Sequence, residues 1–193
     1  MFLNVLQKEI IRDKMTFPND KKTFLAKLDK SKKGEVDEKV VLLLKKINSL
    51  EDYYTTSSCS GRVYFWRGTG KKNETEWLLV SHRLIREDFF AWEDKKGLIW
   101  LRLEPFIIHI CCRDLEAAQK LLDLAHQFYK KSALLSVRNK LIVEIRGSEF
   151  MEIPFYLEGQ LLFSGEQRWL VELINAKLKQ IWEKIEKFKQ KIR

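Results

Sequence analysis

The sequence contains no charge-free apolar run that approaches the roughly 20 residues needed to span a bilayer. The charged residues Lys8, Glu9, Arg12 and Asp13 also interrupt the apolar stretch that an N-terminal signal peptide would need. Proline is scarce too, with three residues, and together with a hydrophobic content of 45% this argues against a wholly disordered chain. We therefore expect a soluble, folded protein that is not exported and stays in the cytoplasm.

Cysteine is equally scarce. The three cysteines cannot all pair with one another, and two of them, Cys111 and Cys112, are neighbours. This pattern excludes a disulfide framework and predicts reduced thiols. A zinc site built from Cys59, Cys111, His82 and His109 would lack the Cys-x-x-Cys or paired-histidine spacing that is typical of such sites, so no metal is expected.

What the chain does have is enough apolar material for a core. Hydrophobic residues make up 45% and aromatic residues 12% of its 193 residues, which suits a single domain over residues 1–193. Residues 49–163 carry equal numbers of basic and acidic side chains, so the net charge of +9 comes from the two ends. Basic ends favour a nucleic-acid partner, although lysines on amphipathic helices can also serve only for solubility.

Apolar residues at helical spacing predict helices at residues 2–10, 36–50 and 115–129. Residues 17–20 are predicted to be a break and helix cap, followed by another short helix. Residues 164–167 have the form of a capping box and open a long terminal helix. The predicted buried stripe of that helix comprises Ile174, Leu178, Ile181, Ile185, Phe188 and Ile192.

Short runs rich in β-branched and aromatic residues predict the strands. The run at residues 106–112 is apolar on both faces, as expected of a central strand. The other predicted strands cover residues 63–66, 77–82, 89–92, 98–103, 141–145, 152–157 and 161–163.

Two of the predicted helices have an aromatic pair at or just after their end, Tyr53-Tyr54 and Phe128-Tyr129, at an offset of 75 residues (128 − 53), and each pair precedes a serine. This similarity predicts a duplicated αβ unit, with halves at about residues 17–112 and 113–193. The expected fold class is α+β, with helices packed on a mainly antiparallel or mixed sheet and a long C-terminal helix.

The segment Thr55–Arg62 is unusually polar for the connection between a helix and a strand. It reads Thr-Thr-Ser-Ser-Cys-Ser-Gly-Arg. Hydroxyls and backbone amides at a turn can bind phosphate, carboxylate or ribose, Gly61 permits close approach, and Arg62 offers a bidentate clamp. The alternative is a structural turn held by local bonds from side chains to the backbone.

Several ordered motifs strongly resemble the tRNA wybutosine-synthesising protein 3 family, from about Phe17 to the C-terminus. The first is the segment Lys-Leu-Asp-Lys-Ser-Lys-Lys-Gly-Glu-Val-Asp at residues 27–37, and the second is the polar segment with its Ser-Cys-Ser-Gly-Arg core. Further matches in family order are Asn48, the runs at residues 77–82, 104–109 and 112–119, and Pro154, Gly159 and Asn175.

The resemblance implies a methyltransferase that uses S-adenosylmethionine to methylate a ring nitrogen of a 4-demethylwyosine-type guanosine beside the anticodon of phenylalanine tRNA. No Gly-x-Gly-x-x-Gly motif follows a strand, so the residues alone would not predict a Rossmann cofactor site. The candidate cofactor-binding residues are Asp29, Asp37, Ser57, Ser58, Ser60, Gly61 and Arg62. The candidate substrate-binding residues are Thr56, Glu104, Pro105, Ser132 and Asn175.

Methylation of a ring N–H requires the loss of a proton, so a general base is expected, and neutral histidine suits this role near pH 7. The candidates are His82 and His109. Each has a structural alternative as a satisfied polar group at the end of a strand or within one. Cys59 could act as a nucleophile, but the chemistry at nitrogen needs no enzyme-bound methyl group, and a small residue in a tight turn explains it.

One loop departs from the family pattern. Where the family has glycines, this chain has Phe128 and Ala133 around Ser132, which puts the backbone conformation of that loop in question. Two other functions remain open besides the methyltransferase. The chain could be a noncatalytic tRNA-binding module or a structural subunit of a modification complex, and other tRNA-modification enzymes are conceivable partners.

Overall fold

The computed structural model describes residues 16–27, 37–68, 75–91 and 96–193. These residues form two compact units, and each unit combines separate stretches of the chain. Unit 1 contains the described residues up to Cys59 together with Ile107–Gly147 and Ile185–Arg193, and unit 2 contains those of Ser60–Phe106 and Ser148–Lys184. The predicted single domain and its repeat halves stay predictions.

Unit 1 is a four-stranded antiparallel sheet with helices. Its elements are α1 (residues 16–27), α2 (Glu38–Ser49), β1 (Tyr53–Cys59), β5 (Ile107–Cys112), α3 (Leu115–Ala125), β6 (Ala133–Ser136) and β7 (Leu141–Arg146). The strand order is β1-β5-β7-β6, so β5 is an inner strand, as its apolar sequence predicts. The side chain of Asp114 caps α3 by accepting a hydrogen bond from the Ala117 N–H at 2.9 Å.

The two faces of this sheet are distinguished by Tyr53 and Tyr54, because consecutive side chains of a strand point to opposite faces. Tyr54 is fully buried with Phe17 of α1 and Cys111 of β5. Tyr53 belongs to the face on which α3 packs, and its hydroxyl donates to the Ala117 carbonyl at 2.9 Å. The burial of Tyr53 raises the pKa of its hydroxyl to about 12.

Unit 2 is a five-stranded antiparallel sheet with the order β3-β2-β4-β8-β9. Its strands are β2 (Arg62–Arg67), β3 (Glu76–Ser81), β4 (Leu98–Glu104), β8 (Met151–Leu157) and β9 (Gln160–Leu161). One face carries an aromatic core in which Phe65 contacts Phe155, with ring centroids 5.2 Å apart. The other face carries the alternate residues of β2, namely Arg62, Tyr64 and Trp66.

The long helix α4 (Gln167–Lys191) follows the last strand. The six stripe residues that were predicted from its sequence are all at most 3% exposed, which confirms the stripe. Lysines lie in its last turn, where positive charge suits the helix dipole. Within the part of the chain that the structure describes, no helix combines the length and apolarity that a membrane crossing requires.

The predicted α+β class, with helices on mainly antiparallel sheet structure and a long C-terminal helix, is confirmed. Four local predictions were incomplete or wrong. Residues 17–20 are helical rather than a break, and residues 87–90 form a 3-10 helix where a strand at residues 89–92 was predicted. Strands β1 and β6 were not among the predicted strands. The predicted helix at residues 2–10 lies outside the described residues.

Candidate functional site

The polar segment Thr55–Arg62 is not a turn. Its first five residues belong to β1, Ser60 and Gly61 form the connection, and Arg62 begins β2. Residues up to Cys59 belong to unit 1, and residues from Ser60 onward belong to unit 2.

The end of α2 fixes the start of the polar segment. The amide oxygen of Asn48 accepts a hydrogen bond from the Thr55 backbone N–H at 2.8 Å, and the amide nitrogen donates to Thr55 Oγ1 at 3.0 Å. Thr55 is 3% exposed, so its backbone N–H and its hydroxyl are both buried. Both groups obtain their hydrogen-bond partner from the side chain of Asn48. Asn48 thereby ties β1 to α2.

A β-bulge at Thr56 sets which residue of β1 lies opposite His109. Thr55 pairs with Ile110, but Ser57 rather than Thr56 pairs with His109. The Thr56 hydroxyl donates to the His109 carbonyl at 3.3 Å. Bulges redirect side chains in this way and are common beside active sites. The bulge brings the hydroxyl of Ser57 to the histidine side chain.

Ser57, His109 and Glu144 form a hydrogen-bonded row across β1, β5 and β7. Ser57 Oγ lies 2.7 Å from His109 Nδ1, and His109 Nε2 lies 2.8 Å from a carboxylate oxygen of Glu144. The row follows the register, in which Ser57 pairs with His109 and His109 pairs with Glu144. The side chains of His109 and Glu144 are 26% and 20% exposed, whereas Ser57 is an exposed residue. The row therefore opens to solvent at its serine.

The other predicted residues of unit 1 lie in different settings. Ser58 is half-buried and points to the opposite face from Ser57. Asp37 stands at the N-cap of α2 without making a side-chain capping bond, and its carboxylate lies within 4.8 Å of Cys59 Sγ. Asp29 lies outside the described residues. Asp37 therefore does not cap α2 through its side chain.

Ser132 is 6% exposed, and its hydroxyl donates to the Tyr129 carbonyl at 2.8 Å. None of residues 128–133 has a positive φ, so the loop takes a conformation that needs no glycine. The absence of the family glycines is therefore compatible with an unstrained backbone. The hydrogen bond gives Ser132 a role in closing this loop.

None of the three cysteines, all of which lie in the described ranges, forms a disulfide. Burial raises the pKa of Cys111 and raises that of Cys112 to about 12, so both remain protonated near neutral pH. A protonated thiol is a poor nucleophile. Cys59 is half-buried at the end of β1, beside the connection to β2.

In unit 2, Gly61 is required by the backbone. Its φ is +95°, and a Cβ atom there would lie 3.2 Å from the Glu104 carbonyl oxygen and 3.3 Å from the Ile181 side chain. Both the positive φ and the close approach favour glycine. Ser60 beside it is fully buried. The connection between β1 and β2 is consequently tight.

Arg62 is held by a carboxylate and two aromatic rings. Its Nε and one terminal nitrogen donate to the same oxygen of Glu104 at 2.8 and 2.6 Å, and its guanidinium lies 4.0 Å from the ring centre of Trp77. The Tyr64 hydroxyl donates to the other Glu104 oxygen at 2.8 Å. Burial, followed by this hydrogen bond, raises the pKa of Tyr64 to about 12. The cluster fixes the direction of the Arg62 side chain.

Three further predicted residues belong to unit 2. Asn175 of α4 uses both polar atoms of its amide, accepting from the Ile85 N–H at 2.9 Å and donating to the Ile85 carbonyl at 2.8 Å. This contact fixes the segment after β3, where the half-buried His82 lies. Pro105 is buried directly after β4 and follows Glu104.

Comparison with known protein families identifies the family of this chain. The family model described as Methyltransferase TYW3 matches residues 19–193. The chain belongs to this family. The match confirms the resemblance that the sequence motifs indicate, and family membership makes the chain a methyltransferase that needs a methyl donor.

Related proteins of the TYW3 family support this assignment. A Pyrococcus furiosus relative, 38% identical over 91% of this chain and 94% of its own length, is named tRNA(Phe) 7-((3-amino-3-carboxypropyl)-4-demethylwyosine(37)-N(4))-methyltransferase 1. The Xenopus laevis tRNA wybutosine-synthesizing protein 3 homolog is 35% identical over 89% of this chain and 72% of its own length. The solved structure of the PH1069 protein from Pyrococcus horikoshii has a TM-score of 0.85 and 36% identity, covering 94% of this chain and 98% of that one.

Several residues around the TYW3-family motif were not identified from the sequence. Glu144 was placed on a predicted strand, but its contact with His109 depends on the β5–β7 register. Tyr64 and Trp77 were assigned to strands without a link to Arg62. The strand predictions alternate side chains between the two faces of a sheet, but they do not identify which residues of other strands contact Tyr64 or Trp77.

Proposed function

We propose that this chain transfers a methyl group from S-adenosylmethionine to a ring nitrogen of the 4-demethylwyosine-type guanosine beside the anticodon of phenylalanine tRNA. The single observation that supports this most strongly is the family match, which runs over residues 19–193 and contains every candidate site residue. The name of the Pyrococcus furiosus relative supplies the substrate class. We place the enzyme in the cytoplasm as part of this proposal.

Each unit, taken by itself, offers groups that suit such a donor chemically. The Ser58 hydroxyl can donate to or accept from ribose and amino groups, and the Asp37 carboxylate can accept from them. Arg62 and the backbone at Ser60 and Gly61 suit a carboxylate. S-adenosylmethionine, when bound, supplies a methyl group on a sulfonium sulfur that keeps the bonding electron pair as the methyl leaves.

The contribution of the chain is to align the reactants and to accept a proton. Holding two reactants in line can lower a barrier by about 7–11 kcal/mol. The carboxylate of Glu104 and the ring of Trp77 restrict Arg62 to one direction, which preorganises any ligand contact it makes. His82 and His109 are the candidate bases. Thr56, Glu104, Pro105, Ser132 and Asn175 stay candidates for binding or for shaping the substrate site.

A binding titration with S-adenosylmethionine tests cofactor use and site location together. Arg62→Gln and Ser58→Ala should each weaken binding of the cofactor, because each removes a polar group of the proposed site. Arg67→Gln and Ser136→Ala serve as matched controls on strands of the same units and should bind normally. Absence of cofactor binding by the wild-type protein, with its tRNA present, would overturn the proposed function.

The rival reading as a noncatalytic tRNA-binding module makes the opposite prediction. In that case the affinity for tRNA is the same with and without the cofactor, and no methyl group is transferred. A structural subunit would instead need a stable protein partner for any activity. Turnover by the purified chain alone excludes both alternatives.

A further inference from the structure

We propose that Ser57, His109 and Glu144 form a proton relay for methyl transfer. Ser57 takes the proton of the acceptor ring nitrogen while passing its own proton to His109, and Glu144 fixes the histidine in the tautomer that can accept it. This inference rests on the proposed function and deepens it, because it assigns the base and names two residues that act with it. Ser57 and His109 move the proton, and Glu144 is a positioning residue.

The hydrogen bonds set the direction of the relay. An ionised carboxylate can only accept, so His109 Nε2 must carry the hydrogen in its 2.8 Å contact with Glu144. In the neutral ring, Nδ1 is then the acceptor, and the 2.7 Å contact with Ser57 Oγ is a bond that the serine hydroxyl donates. The serine oxygen is thereby left with lone pairs that can accept a proton.

The hydrogen bonds at both ring nitrogens of His109 explain why Ser57 is needed to accept the substrate proton. Both nitrogens of His109 are engaged by protein groups, so the histidine cannot reach a substrate nitrogen directly without breaking one of these bonds. Ser57 is the exposed end of the row, whereas His109 is 26% and Glu144 20% exposed. The hydroxyl of Ser57 is therefore the point at which the row can meet a substrate.

The three residues lie on neighbouring strands of one sheet, which gives the row a rigid support. Cross-strand pairing fixes Ser57 opposite His109 and His109 opposite Glu144. The bulge at Thr56 is the feature that puts Ser57 in this register. Both distances fall within the usual range for O–H and N–H donors, so no rearrangement is needed before proton transfer.

The proton and electron balance closes within this scheme. The ring nitrogen gains a bond to the methyl carbon and loses its bond to hydrogen, while the electron pair of the methyl–sulfur bond stays with the donor sulfur. The nitrogen's proton goes to Ser57 Oγ, and the hydroxyl proton of Ser57 goes to His109 Nδ1. The resulting imidazolium is stabilised by the negative charge of Glu144.

Kinetics of a serine variant test the relay. Ser57→Ala should lower kcat by roughly 10²- to 10⁴-fold, the usual contribution of general acid–base catalysis, with little change in KM for the donor or in tRNA affinity. Ser57→Thr retains a hydroxyl and should recover part of the loss. Ser136→Ala removes a half-buried serine from another strand of the same sheet and should keep normal kcat. Undiminished kcat in Ser57→Ala would overturn the relay.

Nitrogen NMR of labelled histidine tests the role of Glu144 without any turnover. Under mildly alkaline conditions the wild-type protein should show His109 as the Nε2–H tautomer. Glu144→Gln should populate the other tautomer and lower kcat, whereas Glu116→Gln, on the exposed face of α3, should change neither. A wild-type His109 in the Nδ1–H form, or with both nitrogens protonated, contradicts the relay.

The two proposals fail in different ways. If wild-type protein shows the expected tautomer but transfers no methyl group to competent tRNA, the proposed function is wrong. If wild-type protein transfers methyl groups and Ser57→Ala does so at the same rate, the function stands and the relay is wrong.

Discussion

Gly61 combines a positive φ of +95° with two close neighbours, and it offers a test at the scale of a single residue. Gly61→Ala should lower the free energy of unfolding by about 1–3 kcal/mol, because a side chain is disfavoured at that φ and its Cβ would lie against the Glu104 carbonyl. Gly97 is the matched control, since its φ is +72° but nothing lies within 4 Å of its Cβ position. Urea denaturation measures both variants. Equal losses for the two would show that close packing at Gly61 is unimportant.

The residues of the candidate site were only partly predictable. Ser57 and His109 were identified because hydroxyl-rich motifs and histidines attract attention in a sequence. Glu144 was not, because its role depends on pairing between strands that are separated by an intervening helix and strand. The same holds for Tyr64, whose link to Arg62 passes through Glu104. A contact that depends on the pairing register of strands far apart in the sequence cannot be recognised from the residues around either partner.

At the scale of elements, Asn48 joins the end of α2 to β1. Asn48→Ala should lower the free energy of unfolding by about 1–3 kcal/mol, because it leaves the backbone N–H of the buried Thr55 without its acceptor. Asn139→Ala, at an exposed bend, should change it by less than about 0.5 kcal/mol. Thermal or urea unfolding distinguishes the two. A neutral Asn48→Ala would mean that water replaces the amide.

A second element-scale prediction concerns the pairing of Glu149, just before β8, with Lys184 of α4. Burial would raise the pKa of the Glu149 carboxyl, but the hydrogen bonds from Lys184 and from backbone N–H groups outweigh it and lower the pKa. A lowered pKa in the folded state gives stability above the unfolded pKa, which is lost as the pH falls through the folded value.

The free energy of unfolding, measured between about pH 5 and about pH 3, tests the contribution of the Glu149–Lys184 pair. Glu149→Gln should flatten the loss of stability over that range relative to the wild type. Glu172→Gln, an exposed α4 residue paired with Arg168, should leave the pH dependence nearly unchanged. An unaltered profile in Glu149→Gln contradicts the prediction.

Helices and apolar strands were predicted well because their periodicity is local. The strand predicted at residues 89–92 was wrong, since Phe89 and Phe90 instead turn through a 3-10 helix and stack on Phe65 and Phe155. Aromatic residues favour strands on average, but packing against a distant aromatic cluster overrides that preference. Strand β1 was missed for the opposite reason, because its serines suggest a turn while its pairing with β5 makes it a strand.

At the scale of the whole molecule, the α+β class followed from the mixture of two periodicities. The division of the helices and strands into two sheets did not, because strand order depends on contacts between distant segments. The net charge of +9 is a whole-molecule property with a measurable consequence. If the basic ends contact tRNA phosphates, the logarithm of the affinity should fall linearly with the logarithm of salt concentration, by about 0.7–0.9 per phosphate neutralised.

A titration of phenylalanine tRNA over a range of salt concentrations measures this slope. A tRNA of different sequence should give a similar slope, because phosphate contacts carry no sequence information. An affinity that does not respond to salt would show that the positive charge serves only for solubility.

Methyl transfer to phenylalanine tRNA is the measurement that bears directly on the proposed activity. The purified chain is incubated with isotopically labelled S-adenosylmethionine and phenylalanine tRNA that carries the demethylated wyosine precursor, and the digested nucleosides are separated and weighed by mass spectrometry. The expected result is one added methyl group on a ring nitrogen of the modified guanosine, with no label in tRNA that lacks the precursor. Unchanged precursor, after incubation with folded protein and intact cofactor, would contradict the proposed function.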